Sequence, residues 1–168
     1  MQPSEALSTS AQVAVTLAGF AGVVVAFRNR SVHEWSKIDR LRLQILLTNS
    51  AIPFVLSMIG MLLLSTSLDV ATVWRLCSLF TFLLLVWMAS GYRVIYQRFS
   101  PKEFKASGGR RAILYTGSLV AIGVTLLQLY NVKKLQTFWP FFAAVATLLV
   151  LGMLQFVLLV TIHEDAKS

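Results

Sequence analysis

The chain has 168 residues, of which 57% are hydrophobic and only 13% charged, and it carries a formal net charge of +8. A soluble domain of this length would be nearer a quarter charged, so an ordinary water-soluble fold is excluded, and one membrane-embedded domain, 1–168, is expected. The apolar runs are continuous rather than alternating over segments of about ten residues, which argues against a membrane β-barrel and for helices.

Five runs contain no acidic or basic residue: 11–27, 43–64, 76–92, 112–130 and 138–162. Each approaches the roughly 20 apolar residues that cross a ~30 Å hydrocarbon core. The predicted fold is therefore all-α, a polytopic transmembrane bundle of five spans. Span 1 has Ser8, Thr9 and Ser10 as N-cap candidates and could start nearer Ala6. The residues before it carry Glu5 and no Lys or Arg, whereas a signal peptide has a basic start, so a retained helix is expected.

The loop 28–42 follows. Ser36-Lys37-Ile38-Asp39 has the form of a capping box and predicts a helix start at Lys37. Span 2 is interrupted by Pro53, which has no N–H for the carbonyl of Asn49, so a kink or a substitute donor is expected. Trp74 and Arg75 stand at the outer end of span 3. The loop 93–111 holds Ser100-Pro101-Lys102-Glu103, a second capping box with proline at the first helical position. It predicts a short helix ending before Gly108 and Gly109. Trp35 and Phe104 are placed in the headgroup layer. After span 4, the run from Thr137 to Pro140 reads as a helix start, with Trp139 as an aromatic interface anchor.

Orientation follows from the basic residues. Arg28, Arg30, Lys37, Arg40 and Arg42 lie in one loop, and Arg93, Arg98, Lys102, Lys105, Arg110 and Arg111 in the other; Lys167 falls on the same side. The opposite side has only Arg75, Lys133 and Lys134. The positive-inside rule then predicts an N-out, C-in topology. Positive charge sorted to span ends is explained by loop retention and anionic lipid headgroups, so nucleic acid is not an expected partner. The loop residues Arg28, Arg30, Trp35, Asp39, Arg40, Arg42, Arg110 and Arg111 are candidates for contact with lipid or with a partner protein. Asp39, Arg40 and Arg42 could also join an ion-pair cluster, worth little if exposed. The single cysteine, Cys77, cannot form an intrachain disulfide and reads as a small buried apolar residue.

Inside the spans, only small and uncharged polar residues offer candidates. Ala14, Ala18, Gly22 and Ala26 recur every four residues, with Gly19 beside them. Such a row lets helix backbones approach closely, either within one subunit or at a seam of a homo-oligomer. Asn49, Pro53, Ser57 and Gly60 form a second stripe, with Thr48 and Ser50 beside it. It can line a pore or cleft, or act as polar glue worth about 0.6 kcal/mol per contact. Gly117, Ala121, Thr125 and Gln128 form a third. Asn49 and Gln155 are expected at similar depth in the inner half of the membrane, and Gln12 and Gln128 near the outer face. Buried amides want partners in hydrocarbon, so each pair is expected to meet one another, backbone carbonyls or water. Arg75 either snorkels to the outer interface or pairs with Asp69.

Other chemistries find little support. His33-Glu34 and His163-Glu164-Asp165 would both face the cytoplasm, but they lack metal-ligand spacing. No carboxylate, histidine or lysine lies within a span, which argues against proton-coupled transport, retinal and haem. No arginine repeat suits a voltage sensor, and no nucleophile has a base near it. No metal, cofactor or enzymatic activity is therefore expected.

Ala18-Gly19-Phe20-Ala21-Gly22 with Phe27-Arg28, then Trp35, Asp39-Arg40-Leu41, Leu46-Leu47, Ser50 and Pro53, then Trp74-Arg75 and Ser78, resemble a group of small bacterial integral membrane proteins. The resemblance covers about the first half of the chain. It implies a bacterial cytoplasmic membrane location, lends no activity, and marks Asp39, Arg40, Trp74 and Arg75 as more than generic flanks. The leading expectation is an oligomeric channel or pore for ions or small solutes, lined by Asn49, Ser57, Thr125 and Gln128. The alternatives are a non-transporting scaffold or anchor that binds a partner through its basic loops, and a lipid- or quinone-binding protein with a groove beside Pro53.

Overall fold

The structure is a computed structural model that describes residues 2–27, 35, 37–97 and 111–161; the side chains of 37–39, 92–97, 111–116 and 161 lie outside the description. Among the described residues all regular structure is helical: α1 (Pro3–Phe27), α2 (Lys37–Leu64), α3 (Val70–Gln97), α4 (Arg111–Tyr130), a π-helical turn (Asn131–Leu135) and α5 (Phe138–Thr161). Four stretches are long and apolar enough to cross a membrane: Pro3–Phe27, Arg40–Leu64, Val70–Gly91 and Phe138–Val160. Helix α4 has 20 residues, with side chains described from Gly117 onward.

Several helices outrun their apolar stretches, and their first turns show why. Helix α1 starts at Pro3, well before residue 11. Proline suits the first helical position because its missing N–H would be unpaired there anyway. Glu5 Oε2 accepts the backbone N–H of Gln2 at 3.1 Å, half of a capping box. The proposed caps sit inside the helix instead: Thr9 Oγ1 donates to the carbonyl of Glu5 and Ser10 Oγ to that of Ala6, both at 2.9 Å. Helix α2 starts at Lys37, where the capping-box pattern places it; Ser36 is outside the described residues. Helix α3 starts at Val70 because Asp69 caps it. Asp69 Oδ2 accepts the N–H of Thr72 at 2.9 Å, and its carbonyl accepts that of Val73 at 3.1 Å. The short helix expected after Ser100 falls outside the described residues.

The chain divides into two compact units, Met1–Thr66 with Val145–Ser168, and Ser67–Ala144. In the first, α1 packs along α2, and Ala6, Leu7, Ser10, Ala11, Ala14, Leu17 and Ala21 of α1 are buried. Ala21, Trp35, Leu43, Leu46 and Leu159 form a core cluster, with Val24, Val25 and Phe156 against it. Trp35 is only 6% exposed. Its expected place in the headgroup layer is thus corrected: the indole is a core side chain, because small Ala21 leaves room for it between α1, α2 and the last helix.

Within the same unit, Gly152 of α5 lies against Asn49 of α2. A Cβ on Gly152 would lie 3.4 Å from Asn49 Cβ and 3.6 Å from the Asn49 carbonyl oxygen. That carbonyl is the one Pro53, inside α2, cannot serve. The glycine lets the neighbouring helix cover the gap in the hydrogen-bond ladder. We expect Gly152→Ala to leave stability nearly unchanged, since its Cβ falls at ordinary contact distance. Gly152→Leu should cost about 1–3 kcal/mol by overpacking, read as a shifted denaturation midpoint in detergent.

In the second unit, Trp74 of α3 packs on Phe138 and Phe141 of α5, with ring centroids 4.9 and 6.0 Å apart. Phe142 extends the aromatic row at 5.2 Å from Phe138. Buried residues of α3 (Val73, Trp74, Cys77, Ser78, Thr81 and Leu85) recur at three- and four-residue spacing, one helix face.

The Asp69 cap has a pH dependence. Its hydrogen bonds to Thr72, side chain first and backbone second, hold the carboxyl below its ordinary value of 3.8. The group's contribution to stability is therefore complete above that value and disappears as pH falls through the lowered one. A titration below pH 3.8 should destabilise the native protein more than Asp69→Asn, whose cap does not ionise; equal acid sensitivity would contradict the assignment.

Candidate functional site

Polar side chains inside apolar helices are the candidates for function, and the best-defined group lies in the second unit. Asn131 opens the π-helical turn and is fully buried. Its Nδ2 donates to Ser78 Oγ at 2.6 Å and to the Thr137 carbonyl at 3.0 Å. Its Oδ1 accepts the N–H of Thr137 at 3.0 Å. Its own carbonyl accepts the N–H of Gln136 at 3.0 Å, the five-residue bond that defines the turn. One side chain thereby ties α3 to both ends of the connection between α4 and α5. Gln136 closes the turn at φ 51° and ψ 42°, the single positive-φ non-glycine residue among those described. That strained conformation is held by the bonds on either side of it.

Three residues earlier, Gln128 is also fully buried. Its Nε2 donates to the Pro140 carbonyl at 2.7 Å, while its Oε1 has no partner. The expected partner types for this amide included backbone carbonyls, and Pro140 supplies one. Gln12 is exposed on α1.

Several hydroxyls elsewhere are spent on their own helices. Thr125 Oγ1 donates to the Ala121 carbonyl at 2.7 Å, Ser50 Oγ to that of Leu46 at 2.9 Å, and Thr81 Oγ1 to that of Cys77 at 2.8 Å. This back-bonding satisfies a hydroxyl without a second helix. Thr125 is half-buried, and Gly117 likewise, whereas Ala121 is exposed.

The α2 stripe is buried along its length. Asn49, Pro53, Ser57 and Gly60 are all buried. Ser57 has no exposed surface, and its Oγ lacks a partner. Gln155 is half-buried on α5, three residues beyond the glycine that touches Asn49. No hydrogen bond joins Asn49 to Gln155 among the described residues.

The small-residue row of α1 divides along its length. Ala14 is buried, Ala18 half-buried, and Gly19, Gly22 and Ala26 exposed. Nothing lies within 4 Å of a Cβ built on Gly19 or Gly22. Helix geometry explains the split. A four-residue repeat advances about 40° per step, so Ala26 stands roughly 120° from Ala14. The buried series Leu7, Ser10, Ala14, Leu17 and Ala21 alternates three and four, and drifts only about 40°.

Among the flanking residues, Trp74 is 2% exposed and faces Phe138 and Phe141. It is a packing residue rather than an interface ring, the aromatic row having claimed it. Trp139 is 55% exposed, as an interface anchor requires. Arg75 is exposed, and Asp69 bonds the α3 amide instead of pairing with it. Arg40 is exposed and Arg42 half-buried. Arg28, Arg30 and Arg110 lie outside the described residues, as do both histidines with their neighbouring acids; Asp39 and Arg111 are described in backbone only.

Comparison with protein-family models, with curated proteins and with solved structures finds no match for this chain. Its function has to be argued from its own side chains.

Sequence reasoning overlooked Asn131 and Gly152 and gave Thr81 no role. Asn131 lies one residue past an apolar run and beside two lysines, so it reads as loop. The available signal was its three-residue spacing from Gln128, which puts both amides on one helix face. We expect Asn131→Leu to cost about 2 kcal/mol, because Ser78 and Thr137 lose their shared partner. Thr125→Val should cost nearly nothing, its hydroxyl serving only its own helix. Reversible denaturation in mixed micelles compares the two.

Proposed function

We propose that this protein is a non-transporting, homo-oligomeric membrane subunit of five spans, N-out and C-in, in a bacterial cytoplasmic membrane. Its basic cytoplasmic segments anchor it to anionic headgroups and offer a binding surface to a partner protein. One observation carries this reading: four polar side chains in or beside the apolar helices are buried in protein. Asn49, Ser57, Gln128 and Asn131 are each at most 4% exposed, and Gln128 and Asn131 are committed to named partners. Those are the properties of polar glue between helices rather than of a water-facing wall. The cations are confined to span ends, where they set orientation and bind lipid. The open part of the α1 row at Gly19, Gly22 and Ala26 supports a subunit seam, since small residues favour close helix approach.

A pore remains the second reading, favoured by the unpartnered hydroxyl of Ser57 on the Asn49 face, because an unpaired group in hydrocarbon attracts water.

Purified protein in liposomes separates the two. We expect ion and small-solute flux at the protein-free level under voltage, tension and a pH step, and no change with Asn49→Leu. Flux that Asn49→Leu abolishes would overturn the anchor in favour of the pore. For orientation, in a Cys77→Ser background, a cysteine replacing Gln2 should react with an impermeant maleimide from outside, whereas one replacing Lys167 should react only after lysis.

A further inference from the structure

We propose that Arg75, Lys133 and Lys134 form a binding site for the phosphate of an anionic phospholipid headgroup. The inference rests on the membrane reading above, and it concerns only the second unit.

Two contacts bring the three cations to one end of that unit. Asn131 bonds to Ser78, which sets the π-helical turn against the start of α3. Trp74 packs on Phe138, which sets Arg75's neighbour level with the first residue of α5. Arg75, Lys133 and Lys134 are all exposed. The carboxylate at this end, Asp69, is occupied by the α3 amide of Thr72, so three positive charges stand against one negative charge.

The lysines do not sit on a free loop. Asn131, two residues before Lys133, makes three side-chain bonds, and Gln136, two residues after Lys134, closes the turn through its N–H. A pinned turn loses little backbone freedom on binding, which lowers the entropic cost of holding an anion.

The choice of a lipid rather than a soluble anion comes from the flanking rings. Tyr130 is 54% and Trp139 55% exposed, immediately before the turn and at the second residue of α5. Exposed Trp and Tyr at the ends of apolar helices lie at headgroup depth. They would hold the cations in the plane of lipid phosphates, where each lysine strengthens binding to an anionic surface about fivefold.

The test titrates the detergent-solubilised full chain with phosphatidylglycerol, phosphatidylcholine or inorganic phosphate, following thermal stability and lipid retention by native mass spectrometry. Phosphatidylglycerol should stabilise the protein in a salt-sensitive way, and the other two should do so far less. Lys133→Gln/Lys134→Gln should weaken phosphatidylglycerol retention roughly tenfold or more, and Lys133→Arg/Lys134→Arg should restore it if the glutamine variant folds poorly. Adding Gln2→Lys and Ser4→Lys to Lys133→Gln/Lys134→Gln keeps the net charge and serves as control. Full recovery of retention in that control, or unchanged retention in Lys133→Gln/Lys134→Gln, overturns the site. Equal protection by inorganic phosphate overturns the lipid assignment. Failure of the native protein to enter liposomes would instead overturn the membrane reading itself, a separate outcome.

Discussion

Hydrocarbon cannot hydrogen-bond, so every polar group carried into it must find a partner in the protein. That constraint organises the described parts of this chain. Helix secures the backbone, and many hydroxyls are secured one by one through bonds to a carbonyl three or four residues earlier, from Thr9 to Thr125. The amides are longer and carry both donor and acceptor, so one turn of their own helix cannot satisfy them. Asn131 and Gln128 accordingly become the residues that join separate elements. The same distinction predicts where polar substitutions matter: at amides that bridge, more than at hydroxyls that fold back.

Proline and glycine solve the complementary problem. Pro53 removes a donor from the middle of α2 and frees the carbonyl of Asn49. Gly152, having no side chain, allows α5 to lie against that carbonyl. Neither residue explains the other in the sequence, where they are almost a hundred positions apart. In the first unit they form one packing feature, and the Asn49 face is buried as a result.

The helices were legible because hydropathy is a local property: continuous apolar runs define their interiors, and the capping box at residues 36–39 predicts the start of α2. Their outer turns were less legible, because α1 and α3 begin in polar sequence, where Pro3 with Glu5 and Asp69 supply the caps. Of the site residues, the α2 stripe could be read as a face but not as buried or wet, since periodicity gives direction along one helix and nothing of its neighbour. Trp35 and Trp74 show the same limit. A tryptophan next to a span end has the composition of an interface anchor, and only the packing of Ala21, or of Phe138 and Phe141, makes it a core side chain.

The two unpartnered atoms, Ser57 Oγ and Gln128 Oε1, sharpen what the burial of the stripes means. An unpaired buried hydroxyl or amide oxygen costs on the order of 1–3 kcal/mol, and one trapped water removes most of that cost. A conducting path needs a file of such groups, each within reach of the next, along one face. On α2 the neighbouring hydroxyl, Ser50, is already bonded to Leu46; on α4 Thr125 is bonded to Ala121. Each orphan therefore sits beside groups that are satisfied without water. Isolated hydration of that kind fits a protein whose polar residues hold helices together.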